Sequence, residues 1–481
     1  MTLKFGIFDF KNSKENSRHT LFFFGVLLFL GLWTAFAGDR PLAVHGLVPE
    51  PDALVHFTYG SFLSADQDLE GAEKEFQEAL KLDPEATYIA LKLAEVLIEK
   101  KELEKAFQML LPLSATQGSY GAQASLLMGG ICLLQKNKMN AVSFFNQALS
   151  QDPRNKRAYT TLSDLYEQEG LLTEAISVNE KADQIFENTP EFKIKLGTQY
   201  FLNHDAEKAL TAYESAKEML PNDPGVLLGL GLCLDQLKHW EESRSCLEKY
   251  LLLNPLNFAV YKKLLHVKAE LAEWDSAFQL CDQWISMNPE SEEGYVQYAV
   301  LALKSKSLES AVPLLEQAED KFPQSGDIAF WLGRLYYEKK DGVRARSCYK
   351  KALSKSLKKS EILYHYAVLF HDEKKNQDAL DQLQKAVEED SQNANALNFM
   401  GYLLIEMNHP VNEAIVFIEK ALRLNPENSA FLDSMGWALY KKGSFREALM
   451  YQEKAAALSK DEEILKHLAE IRKALGGQKN D

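Results

Sequence analysis

The chain of 481 residues is 46% hydrophobic and 26% charged, with only 15 prolines and 25 glycines, a balance that excludes a disordered polymer and fits a folded, mostly helical protein. A formal charge of −15 makes it a poor ligand for nucleic acid or anionic lipid surfaces. The cysteines, Cys132, Cys233, Cys246, Cys281 and Cys348, include no Cys-x-x-Cys and no histidine at metal-ligand spacing, so no metal site is expected and they read as small apolar packing residues.

Residues 1–20 carry a positive balance, and Leu21 to Trp33 form an uncharged run, LFFFGVLLFLGLW, that leads into Ala35-Phe36-Ala37 before Gly38. This is the three-part layout of a secretory signal. The uncharged stretch over residues 20–38 also nearly spans a bilayer. Residues 1–37 are therefore either a signal peptide cleaved near Ala37 or an N-terminal membrane anchor, and both place the rest of the chain outside the cytoplasm. No cysteine follows the apolar run, as a lipoprotein signal would require. Residues 38–52 contain three prolines and no helical period, and read as an extended spacer.

From about Ala53 to Glu462 the chain repeats with a period of 34 residues, in twelve units with two one-residue insertions. One column, early in the second helix of each unit, holds Ala72, Ala106, Ala141, Ala175, Ala209, Ala277, Ala311, Ala345, Ala379, Ala414 and Ala448, with Ser243 the substitute. A second, in the first helix, holds Gly60, Gly129, Gly197, Gly231, Gly333, Gly401 and Gly436, with Ala94, Ala299, Ala367 and Ser163 elsewhere and Leu265 the bulky exception. Two antiparallel helices approach closely where small residues meet, which is the expected role of both columns. A third column, seven residues after the alanine, is alanine in most units but Leu113, Tyr250 and Trp284 in units two, six and seven. Looser packing is expected there. Prolines at 84, 153, 255, 289 and 426 follow Asp or Asn and end second helices. Cys233 and Cys246 fall in the two helices of unit six and are the one pair to test for a disulfide.

This pattern closely resembles the tetratricopeptide repeat family over residues 53–462. The resemblance implies an all-α fold, an α-solenoid superhelix of about twelve tandem helix pairs with a concave groove lined by the first helix of each unit. The amphipathic stretch Asp461 to Leu475 lacks the alanine column and suits a solvating cap helix, ended by Gly476 and Gly477. Residues 463–481 are thus expected to be a capping helix and a short tail.

No Gly-x-Ser-x-Gly, phosphate-binding Gly-x-x-x-x-Gly-Lys or His-Glu-x-x-His occurs, so no enzyme, cofactor or metal is expected. The resemblance places binding on the groove, and register transfers its positions onto this chain. In the C-terminal units they carry Phe330, Arg334 and Tyr337, then Tyr364, His371 and Asp372, then Asn395, Asn398 and Tyr402, and finally Asp433, Trp437 and Tyr440. Rings supply contact area and the polar groups fix register, as peptide-binding surfaces require. The clamp by which some family members hold a terminal carboxylate is not reproduced, because His266 stands where asparagine is expected. The last two units are similar to the ending of large bacterial envelope repeat proteins, some of which are lipoprotein adaptors for processing proteases and cell-wall hydrolases. That similarity implies a periplasmic scaffold or adaptor for other proteins, with envelope proteases, cell-wall hydrolases or export components as partners. A component of a polysaccharide synthesis or export machine is the alternative, and an unrecognised enzyme a third.

Overall fold

The computed structural model describes residues 51–187 and 189–477. Among these residues are 25 α-helices and no strand, from Pro51–Ala65 to Glu462–Gly477. In chain order they make twelve pairs and one last helix. They divide between Ile185 and Phe186 into two compact bodies, the first with four pairs and the second with eight pairs and the last helix. Residues 1–50, which hold the expected signal or anchor and nearly all of the spacer, lie outside the described residues. No described helix is long and apolar enough to cross a membrane.

The two helices of every unit are joined by the same turn. One residue adopts a left-handed conformation at Gln67, Lys101, Lys136, Gly170, His204, Lys238, Ala272, Lys306, Lys340, Lys374, Asn408 and Gly443. The next backbone N–H then reaches back to the first helix, as from Asp68 to Leu63, Glu102 to Leu97 and Ser444 to Leu439. This is the Schellman closure, and it satisfies carbonyls the helix end would leave open. Glycine is the residue that adopts it without strain, yet only units four and twelve place glycine there. Asp68, Asn137, Asp205 and Asp341 follow the turn and cap the second helix by accepting a backbone N–H from its first turn.

The two small columns meet as expected, Ser243 donating to the Gly231 carbonyl at 2.7 Å and a β-carbon at Gly401 coming within 2.8 Å of the Ala414 carbonyl, and a larger side chain seats beside them. A β-carbon at Gly60, Gly197 or Gly333 would come within 2.9, 2.8 and 2.8 Å of the rings of Phe76, Tyr213 and Tyr349. Those rings stand four residues after the alanine, one helical turn on. The glycine is a socket and the ring is the knob that fills it. The column continues through Leu110, Phe145, Leu247, Leu315, Leu383 and Ile418, all at most 1% exposed. In unit four the pair is polar, Asn179 donating to the Ser163 hydroxyl at 2.6 Å. Unit seven exchanges the volumes: the first helix carries Leu265, and the knob position carries the small Cys281, both buried.

The looser packing expected in unit seven is found in its backbone, whose two helices approach each other less closely than those of most units, while large side chains fill the space there and in unit six. Trp284 is 1% exposed and stacks on Phe258 with centroids 5.7 Å apart. Room for it comes from Gly294 on the following helix, where a β-carbon would lie 3.5 Å from the indole. Tyr250 is buried and accepts a hydrogen bond from Asn257 at 2.7 Å. Only Leu113, in unit two, is half-buried. All five cysteines are buried free thiols, so Cys233 and Cys246 are not a disulfide. Burial pushes the Cys233 thiol up to about 12.

Candidate partner-binding site

In the C-terminal body, the first helices of units ten (Lys359–Asp372), eleven (Ala394–Glu406) and twelve (Ser429–Lys442) and the last helix (Glu462–Gly477) enclose a cavity of about 610 Å³. Unit ten contributes Tyr364, Val368 and His371, spaced four and three residues apart so that they share one helix face. Unit eleven contributes Asn395, Asn398, Phe399, Tyr402 and Glu406 on a face of the same kind. The start of unit twelve adds Asn428, Asp433 and Ser434, and the approach to the last helix adds Asp461, Glu463 and Ile464.

Phe399 is the centre of the apolar wall, meeting Tyr364 edge-on at 6.2 Å and His371 at 5.4 Å. His371 lies 3.7 Å from Glu406 across the unit boundary. The Tyr402 hydroxyl donates to Glu463 at 2.9 Å, tying unit eleven to the last helix. Burial first, then the charge of Glu406 and the bond to Glu463, push the Tyr402 phenol well above its usual range, so it stays a donor. The Asn398 side-chain oxygen is buried and has no hydrogen-bond partner. Such an acceptor costs about 1–3 kcal/mol until a donor reaches it. No lysine or arginine lines the cavity, whereas four acidic residues do; it suits N–H donors and positive charge.

Of the residues expected from sequence, Tyr364, His371, Asn395, Asn398, Tyr402 and Asp433 come together here. Asp433 is there with its carboxylate already engaged: it is 6% exposed and bound by Gln452 and by His467 of the last helix. Phe330 is 4% exposed and packs between Trp331, Tyr349 and His365. It belongs to the core, because its helix position faces the neighbouring unit. Trp437 and Tyr440 stack on each other at 5.0 Å and pack against His467 and Phe445, away from the cavity. Tyr337 donates to Asp372 at 2.6 Å, joining units nine and ten. Arg334 also stands outside the cavity, against His365.

Sequence reading missed Phe399, Val368, Glu406, Glu463 and Ile464. The first three were recoverable, since each lies three or four residues from a named position on the same helix. The last two were not, because the final helix reads as a solvating cap. It in fact buries Ile464, His467 and Ile471 and supplies one wall of the site.

Among the described residues no group of three or more potential ligands could hold a metal. A tetratricopeptide repeat model matches residues 63–129, 200–266 and 302–367, and a second model of the same description matches 343–394. The chain is 31% identical over 176 residues to the TPR repeat-containing protein PA4667 of Pseudomonas aeruginosa, covering 35% of this chain and 29% of that one. It is 29% identical over 182 residues to the probable UDP-N-acetylglucosamine–peptide N-acetylglucosaminyltransferase SPINDLY of Hordeum vulgare, covering 36% and 19%. This chain thus spans less than a third of either relative. Yeast Tom70 aligns with a TM-score of 0.49 at 16% identity, covering 89% of this chain and 96% of that one. With the 34-residue period, twelve helix pairs on one socket pattern and the matched models together, this chain belongs to the tetratricopeptide repeat family.

Proposed function

We propose that this protein is a non-catalytic adaptor that holds an extended segment of a partner protein against the first helices of its C-terminal units. A protein-interaction role is what its family fold supports. The finer assignment rests on the cavity around Phe399, above all on the buried, unpartnered Asn398 oxygen. Asparagine on a groove helix pairs naturally with the backbone N–H of an extended peptide, and the surrounding rings supply area.

We place the adaptor outside the cytoplasm, in a bacterial periplasm, soluble after cleavage near Ala37 or anchored by residues 20–38. The support is the positive flank, the apolar run and the small-x-small triplet of the N-terminus. An alkaline phosphatase fused after residue 52 is expected to be active in a bacterial host; an inactive fusion rejects export.

The binding reading is tested by affinity capture from detergent-solubilised envelope, using the full-length protein and an Asn398→Ala/Phe399→Ala/Tyr402→Ala variant. The variant is expected to lose partners while its helical circular dichroism is kept. Unchanged capture would place binding elsewhere. Proteases or cell-wall hydrolases among the lost partners favour an adaptor, and glycosyltransferases or export channels favour a polysaccharide machine.

A further inference from the structure

Arg334, on the first helix of unit nine (Gly326–Glu338), is held without being neutralised. Its guanidinium carbon lies 5.7 Å from the centroid of the Trp331 indole, and Nη1 donates to Nε2 of His365 at 3.1 Å. His365 is wedged between Phe330 and Tyr364, with centroids 5.5 and 4.9 Å away. Burial, and then the adjacent guanidinium, push this histidine down to about 3, so at neutral pH it is an uncharged acceptor. It orients the arginine and gives it no counter-charge.

Nearby arginines are treated differently. Arg344 pairs with Asp341 and Arg346 with Glu373. Arg334 makes no such pair among the described residues, although the chain carries a charge of −15. Glu338 stands one helical turn on and Asp372 is taken by the Tyr337 hydroxyl, yet neither comes within ion-pair distance of the guanidinium. A half-buried cation costs desolvation that an indole face and a neutral imidazole return only in part, and a counter-charge returns more fully. The guanidinium fork, oriented by a ring on one side and an imidazole on the other, presents planar donors of the geometry a carboxylate accepts.

We propose that Arg334 is an anion subsite that receives an aspartate or glutamate side chain within the partner segment. This rests on the peptide-binding reading above and extends it from the cavity to the neighbouring unit. The occupant is a side chain and not a chain end because unit nine lies inside the array: the first helices of units eight (Glu293–Ser305) and ten flank it and pack against it. A segment lying along this face passes the arginine.

The test is selection of random displayed peptides with blocked C-termini on the full-length protein in detergent, and on its Arg334→Gln, Arg334→Glu and Arg334→Lys variants. The wild type is expected to select an acidic residue at one fixed position. On Arg334→Gln that enrichment falls by about tenfold or more, the loss of one charge-assisted contact. On Arg334→Glu a basic residue takes its place, with the rest of the motif kept. Arg334→Lys retains the acidic preference at reduced enrichment, which separates lost charge from lost folding. The same acidic position selected by Arg334→Gln overturns the subsite and leaves the groove reading intact. No motif on the wild type overturns both. In a parallel library with free C-termini, acid recognised only as the terminal carboxylate overturns the side-chain assignment.

Discussion

The imidazole of His467 lies parallel to the indole of Trp437, with centroids 4.1 Å apart and planes 13° from coplanar. Its Nδ1 faces both carboxylate oxygens of Asp433 at 3.0 and 3.1 Å. Both partners are under 10% exposed, and Gln452 completes the group by donating to Asp433 and to the Ile464 carbonyl. The last helix is therefore fastened to unit twelve by a buried polar pair, not by an apolar seam alone.

Removing His467 leaves the buried Asp433 carboxylate with Gln452 as its remaining donor. His467→Ala is expected to cost about 1–3 kcal/mol, as leaving a buried polar group short of a partner does. In a stacked array the effect stays near its origin. Hydrogen exchange should quicken in residues 429–477 and remain unchanged in the N-terminal body. Uniform quickening, or none, would contradict this.

The glycine sockets make a second expectation. A methyl at residue 333 would sit 2.8 Å from the Tyr349 ring, so Gly333→Ala is expected to destabilise by about 1–3 kcal/mol. Trimming the knob should relieve it: the cost of Gly333→Ala is expected to shrink in a Tyr349→Leu background. A double-mutant cycle by denaturant unfolding measures the coupling, and additive costs would refute the contact.

The turns give a paired expectation of opposite sign. Ala272 occupies the left-handed conformation that Gly170 occupies in unit four. Ala272→Gly is expected to stabilise by about 1 kcal/mol, and Gly170→Ala to destabilise by about 1–2 kcal/mol, because a β-carbon is strained there. No neighbour lies within 4 Å of a β-carbon at 170, so the cost is conformational. Thermal melts of both variants decide it.

Acid sensitivity follows from His365. Its folded pKa is lowered to about 3 by burial and then by Arg334, whereas the unfolded chain takes up this proton near 6.5. The His365 contribution is thus constant above pH 6.5 and lowers stability as pH drops below it, by at most about 1.4 kcal/mol per pH unit for one proton. His365→Gln keeps an acceptor for Arg334 and is expected to flatten the profile between pH 6.5 and 4. An unchanged slope in denaturant titrations would show that the proton is taken up elsewhere.

The repeat was legible in the sequence because small residues at fixed spacing are required by helix contact, and the period survives every substitution around it. The larger side chain that seats beside them was less legible. Phe76, Leu110, Tyr213, Tyr349 and Ile418 share bulk but not identity, and Asn179, Cys281 and Gln452 break even that, so the column is far less sharp than the alanines. The groove was half legible for a related reason. Helix register brings Asn398 and Tyr402 to one face, but it does not say that Phe330 is covered by His365 or that Trp437 is covered by His467. Those depend on the next helix along.

Leu265 and Cys281 carry a broader consequence. Bulk can move from one helix of a unit to the other only if both positions change together, and each such trade makes the two helices fit each other and no one else. The unit of inheritance in this array is then the whole pair. Duplication, deletion or grafting in steps of 34 residues should preserve the fold wherever the cut falls between units, whereas splicing the first helix of unit seven onto the second helix of unit nine would set Leu265 against Tyr349, with no space for either.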